Sequence, residues 1–228
     1  MKGSGITLFN LPMIRTEILP LSDEIRMKIL ELSQFNLVIF TSINGVDAFW
    51  KNLDATNVRF PATLKTAVIG AGTALAVKKH HGNPDFINEG KTSTDFAEYL
   101  KSEVIRNDDK ILLVQGNLAP DYLSNELDKL ADVKRINVYR TVPEENCDME
   151  LMTNIRNDRY GLLVFSSPSG FSNFYKFYNG GEEKSPLRIL SIGKTTTSAI
   201  SGICNAEIIT AEKPGTQGLK NEIIRYFH

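Results

Sequence analysis

Cysteine is nearly absent: Cys147 and Cys204 are the only two, 57 positions apart. Such a pair forms no metal or redox motif and no disulfide framework. Histidine is equally scarce. His80 and His81 fall where a helix should end, a place where cations suit the helix dipole, and His228 is terminal. Neither a zinc site nor a His-based triad is expected. Long apolar runs are missing too. The longest, such as Leu37 to Phe40 and Ile111 to Val114, are strand-sized and far short of a membrane span. No basic, apolar and small-residue succession marks a secretory signal, so a reducing cytoplasm is the expected location. Charge of one sign is also lacking. With 26 basic and 27 acidic residues the chain has no electrostatic footprint for nucleic acid. An anionic small molecule is not excluded, because backbone amides at helix starts bind anions without formal charge.

What the chain does have is a repeat. Leu37 to Trp50 reads LVIFTSINGVDAFW, and Leu162 to Tyr175 reads LLVFSSPSGFSNFY, at an offset of 125. Ala67 to Val77 (AVIGAGTALAV) answers Leu190 to Ile200 (LSIGKTTTSAI) at 123. Ser93 to Leu100 loosely answers Thr216 to Ile223, again at 123. Each unit is an apolar run, then small or hydroxyl residues, then an amphipathic stretch. That is a strand whose turn opens a helix. Two copies of so long a unit give two similar α/β domains rather than a solenoid.

Strand and helix signals alternate from Leu37 to Val138. Strands are expected at 38–41, 66–69, 110–114 and 135–138, with a weaker one at 85–87. Helices are expected near 45–53, 72–80, 94–106 and 120–130. Alternating βα units predict parallel sheets covered by helices, of the flavodoxin-like or Rossmann-like kind. One domain is expected at residues 21–143, inserted into a discontinuous one made of 1–20 and 144–228. The latter should hold strands near 162–165, 189–192 and 206–210. Gly5 to Ile14 echoes Asp132 to Thr141 at an offset of 127, so Ile6 to Asn10 is expected as an edge strand. Nothing answers Lys110 to Leu130. By the repeat, one βα unit of about 30–40 residues is expected ahead of Met1, unless the lineage lost it. Two proline-containing connections, near 11–22 and 137–148, are expected to pair as a two-stranded β-ladder hinge beside a ligand cleft.

Four strand-to-helix corners stand out: Thr41 to Asn44, Gly70 to Thr73, Ser166 to Ser169 and Gly193 to Thr196. Ser, Thr and Asn are ordinary helix caps, worth about 1 kcal/mol each. Four such corners in two domains nonetheless suit a ligand with several anionic groups. Gly70-Ala71-Gly72 with Glu89 only hints at a dinucleotide fingerprint, since Leu75 occupies the third glycine position. No phosphate-binding P-loop is present. Ser42 and Ser167 have no evident base and are not nucleophile candidates. Tyr139 lies in the expected hinge. A phenol keeps its proton at neutral pH and can donate it to a departing oxygen, or it can simply pack the linker.

Taken together, these segments resemble the uroporphyrinogen-III synthase family from about Ile6 onward. The resemblance runs through ITLFN, VIFTSINGV, AVIGAGTAL, ILLVQG with YLSNEL, INVYRT, VFSSPSGFSNF, SIGKTTTSAI and PGTQGL. It implies a lyase that closes hydroxymethylbilane to uroporphyrinogen III in haem biosynthesis, with loss of water and inversion of ring D and without a cofactor. It also implies Tyr139 as the acid, and Ser42, Asn44, Thr73, Gly116, Ser167, Ser169, Arg188 and Thr196 as substrate-binding or cleft residues. Two departures stand out: Gln115 replaces an arginine found in many members, and the opening strand ending in Thr-Arg is lacking. A monomer is expected, with no nucleic-acid or membrane partner. The competing class is a non-catalytic two-domain protein that binds a small anion. A nicotinamide-dependent oxidoreductase, resting on the Gly70 corner alone, comes third.

Overall fold

The computed structural model describes residues 5–90, 92–178, 186–213 and 215–228. The chain divides into two units. A middle unit spans Thr16–Thr141, and a terminal unit combines Met1–Arg15 with Val142–His228.

The middle unit is built on strands β2 (Leu37–Phe40), β3 (Lys65–Ile69), β4 (Phe86–Asn88), β5 (Lys110–Gly116) and β6 (Asp132–Pro143), joined at its edge by β1 (Ile14–Ile18). The sheet order is β1-β6-β5-β2-β3-β4, and β2 to β6 pair in parallel. Every residue of β2 is buried. Alternate residues explain why: Val38 and Phe40 face one core, while Leu37 and Ile39 face another. The first core is closed by α1 (Asp23–Leu30), α2 (Ile43–Asp54) and α3 (Ala71–His80), the second by α4 (Ser93–Tyr99) and α5 (Tyr122–Leu127). A strand covered on both sides needs no polar alternation, which is why its sequence reads as one apolar run. The helix expected over 94–106 is broken, since α4 gives way to a π-helical turn at Leu100–Val104. The one expected over 120–130 shortens to α5.

The terminal unit contains β7 (Leu163–Phe165), β8 (Leu187–Ser191) and β9 (Ala206–Thr210), parallel and in that order. Helices α6 (Met149–Arg156), α7 (Pro168–Tyr178), α8 (Lys194–Ser201) and α9 (Thr216–Phe227) complete it. Phe165, Phe171, Phe174 and Ile189 form its main core. Among the described residues, β7 pairs only with β8, whereas its repeat mate β2 lies between β3 and β5. Val164 is correspondingly 39% exposed. The edge strand expected at Ile6 to Asn10 is not formed. That segment is irregular, with Ile6 against a small core around Leu190 and Ile223, and Phe9 exposed. No described strand flanks β7 on that side, so the segment has no ladder to join.

The unit boundaries fall inside β1 and β6. Leu19 N–H bonds Val138 O, and Glu144 N–H bonds Met13 O. Asn173 of α7 is buried and donates to the carbonyls of both Met13 and Glu144, which fixes that end of the pair to the terminal unit.

Candidate functional site

Parallel sheets open their ligand crevices at the carboxyl ends of their strands, where the repeated corners fall. In the middle unit, β2 ends and Ser42 caps α2. Ser42 is extended, and its Oγ accepts the Gly45 N–H at 3.0 Å. The same oxygen lies 3.0 Å from Tyr139 Oη, and either can be the donor.

A bulge brings the tyrosine there. Gln115 pairs with Asn137, and the next residue, Gly116, pairs with Tyr139, which leaves Val138 as the extra residue. Val138 and Tyr139, although adjacent, therefore pack against the same core. Gly116 makes the room: a β-carbon there would lie 2.4 Å from Tyr139 Cζ. Gly45 forms a second wall, where a β-carbon would lie 3.7 Å from Tyr139 Cε1. The ring is held by two glycines and its hydroxyl by one serine. Asn44 sits beside this cluster on α2, exposed, with Nδ2 donating to Thr16 Oγ1 at 3.4 Å. Thr73 is buried in the first turn of α3. Gln115 is buried as well, and its Oε1 has no hydrogen-bond partner among the described residues.

The terminal unit repeats the serine. Ser167 Oγ accepts the Gly170 N–H at 3.1 Å and lies 3.3 Å from Ser169 Oγ. It has no phenol from the repeat, because the position answering Tyr139 is Pro12. Thr196, the mate of Thr73, is likewise buried. Arg188 is placed differently. It is the second residue of β8, at the amino end of a parallel strand, away from the serine corners. Its guanidinium bonds Asp158 at 2.8 Å and the carbonyls of Tyr160 and Gly161, and lies over the Tyr160 ring. Asp158 pushes the Arg188 pKa further up, and burial pushes up that of the Tyr160 hydroxyl. Arg188 thus fastens the turn before β7.

Of the residues singled out from the sequence, Ser42, Gly116 and Tyr139 come together, as do Ser167 and Ser169. Thr73 and Thr196 lie under the first helical turns, and Arg188 stands apart. Sequence reasoning missed Gly45 and a hydroxyl group of three, Ser191, Thr197 and Thr210. The repeat contained a signal for two of these, because Ser191 and Thr197 align with apolar Val68 and Ala74. Among the described residues, no cluster of His, Cys, Asp or Glu is placed to hold a metal. None of the described helices is long and apolar enough to cross a membrane.

Residues 1–221 match a family model described as uroporphyrinogen-III synthase HemD. Among solved structures, a uroporphyrinogen-III synthetase from Helicobacter pylori is similar with a TM-score of 0.63 and 18% identity, covering 93% of this chain and 90% of that one. A mutant uroporphyrinogen III synthase from Thermus thermophilus gives 0.62 and 18%, covering 95% and 87%. At such identities these two likenesses concern the fold, a mixed α/β architecture dominated by parallel sheet.

Proposed function

Because the chain belongs to the uroporphyrinogen-III synthase family, we propose that Tyr139 supplies the proton for loss of water from its substrate. The family's enzymes are lyases of porphyrin biosynthesis. They close linear hydroxymethylbilane to uroporphyrinogen III. The observation that carries the proposal is the Ser42 Oγ to Tyr139 Oη contact, with Ser42 Oγ already accepting Gly45 N–H.

In this reading the Tyr139 O–H bond breaks as the terminal hydroxyl of the substrate takes the proton and leaves as water. The pyrrole nitrogen lone pair closes the resulting azafulvene. The phenolate oxygen then needs a donor, and the Ser42 hydroxyl can turn its proton toward it. The Gly45 N–H and the positive end of the α2 dipole support that serine. A proton later lost from the pyrrole returns to Tyr139, so the enzyme ends unchanged. Ring D inversion requires a flexible chain to be folded into a reactive shape, and positioning rather than a strong nucleophile carries that step. Carboxylate side chains of the substrate want donors, each charged hydrogen bond being worth about 1.5–3 kcal/mol. Ser167, Ser169, Asn44 and the corner from Gly193 to Thr196 are the groups we assign to them, with Thr73 and Gly116 shaping the site. Arg188 acts on structure in this reading.

We further read the protein as a cytoplasmic monomer with no nucleic-acid partner, whose residues 21–143, and 1–20 with 144–228, serve as its two domains. The test is incubation with freshly made hydroxymethylbilane and chromatography of the oxidised products. Type III isomer is expected. Type I alone, the product of uncatalysed closure, from a folded sample would sink the assignment.

A further inference from the structure

The β8–α8 corner of the terminal unit contains three hydroxyls that the β3–α3 corner of the middle unit lacks. Ser191 Oγ lies 2.6 Å from Thr197 Oγ1, which lies 2.6 Å from Thr210 Oγ1. Thr197 also donates to the Gly193 carbonyl at 3.3 Å, and the same oxygen accepts the N–H groups of Thr196 and Thr197. Ser191 reaches that carbonyl too, at 3.5 Å. The network therefore closes on one peptide, the one that opens α8.

The chain's own repeat provides the control. Ser191 and Thr197 answer Val68 and Ala74 in sequence. Ser191 pairs with Thr210 across the sheet as Val68 pairs with Ile87. All three positions are hydrocarbon in the middle unit, and a strand, turn and helix form there without the hydroxyls. The glycine between strand and helix differs, however. Gly70 has φ 80° and ψ 149°, while Gly193 has φ 172° and ψ 174°. Glycine accepts both conformations, but a residue with a side chain is at ease only in the second. Among the described residues a β-carbon at either glycine would meet nothing within 4 Å, so packing at the glycine does not select between them.

We infer that Ser191, Thr197 and Thr210 are positioning residues that hold Gly193 extended and so fix the corner assigned above to a substrate carboxylate. The identity of that anion rests on the proposed function; the corner's conformation does not. Replacing the three together by the middle unit's own residues (Ser191→Val, Thr197→Ala, Thr210→Ile) removes donors and acceptors at once and strands no buried hydroxyl.

The expected result is a melting temperature close to wild type. KM for hydroxymethylbilane should rise about tenfold, as for one weakened charge-assisted hydrogen bond, with kcat nearly constant. The Gly193 resonances of glycine-labelled protein should shift as its backbone leaves the extended region. Adding Gly193→Ala to the triple variant bars the positive-φ conformation and should return KM toward wild type. If the triple variant fails to fold, Thr197→Ala should raise KM and Thr197→Ser, which keeps the hydroxyl, should not. A wild-type KM in the folded triple variant overturns the inference. So does a raised KM that Gly193→Ala leaves unrecovered, or, where only the single variants fold, an equal KM in the two. Should the wild-type enzyme yield no type III product, the proposed function fails instead, and the glycine resonances still decide the role of the hydroxyls.

Discussion

Ser42 and Ser167 cap matching helices at matching corners, and each accepts the N–H three residues on. They differ in what lies against them. Ser42 faces a phenol held over Gly116, whereas Ser167 faces Ser169. In the proposed reading, one repeat serves two uses: a proton donor with a support for its conjugate base, and a plain set of donors. In the middle unit β2 is flanked on both sides, while β7 is flanked on one side among the described residues.

The difference breaks most sharply at Gly116, which lies under the Tyr139 ring. Gly116→Ala puts a carbon into the Tyr139 ring. It should cost about 1–3 kcal/mol of stability by overpacking and abolish most activity. Calorimetry and the isomer assay check both. Wild-type kinetics would mean that the ring is not held where proton transfer needs it.

The serines come next. Ser42→Ala and Ser167→Ala should each lose a cap worth about 1 kcal/mol. Their kinetics should part, with kcat falling severalfold for Ser42→Ala and KM rising for Ser167→Ala. The same kinetic signature from both would erase the distinction between the corners.

A pair of glycine changes sharpens the comparison through stability alone. Gly70→Ala forces a side chain into positive φ and should cost about 1–3 kcal/mol. Gly193→Ala meets an extended backbone and open space, and should stabilise by about 0.4–1 kcal/mol. Thermal melts that moved in the same direction would contradict the two conformations.

The smallest effect is acid-linked and belongs to the middle unit. Hydrogen bonds from Lys101 and Lys129 hold the Glu126 carboxyl down at about 2, against an ordinary value of 4.5. A depressed carboxylate contributes stability above its unfolded pKa and loses it as pH falls through the folded one. Unfolding free energy should therefore decline slightly between pH 4.5 and about 2, by less in Glu126→Gln. The effect is small because the group is only partly buried and solvent screens its pairs with the two lysines. Identical acid profiles would remove the linkage.

Much of this fold was legible in the sequence. Buried parallel strands are apolar on both faces, so LVIF and ILLV announced β2 and β5. The repeat then located the corners. Tyr139 was legible as a candidate, but the bulge that turns it toward Ser42 was not, since a one-residue slip leaves no mark on composition. The place of Arg188 was not legible, because a cation in a strand says nothing about which end of the sheet it occupies; Asp158 and two carbonyls hold it at the amino end. Ile6 to Asn10 carries a strand-like pattern, but strand formation depends on a neighbour, and that is not a property of the segment. The Thr210 hydroxyl joins Thr197 only through sheet register, which no local pattern encodes.

The most direct measurement is kcat for Tyr139→Phe. Phenylalanine fills the same slot over Gly116 and forgoes only the hydroxyl, so melting temperature and KM should stay nearly constant. If Tyr139 is the proton donor, kcat falls about tenfold or more, or ~1.4 kcal/mol of lost transition-state stabilisation. An unaltered kcat would contradict that role and leave Tyr139 as packing for the β6 bulge.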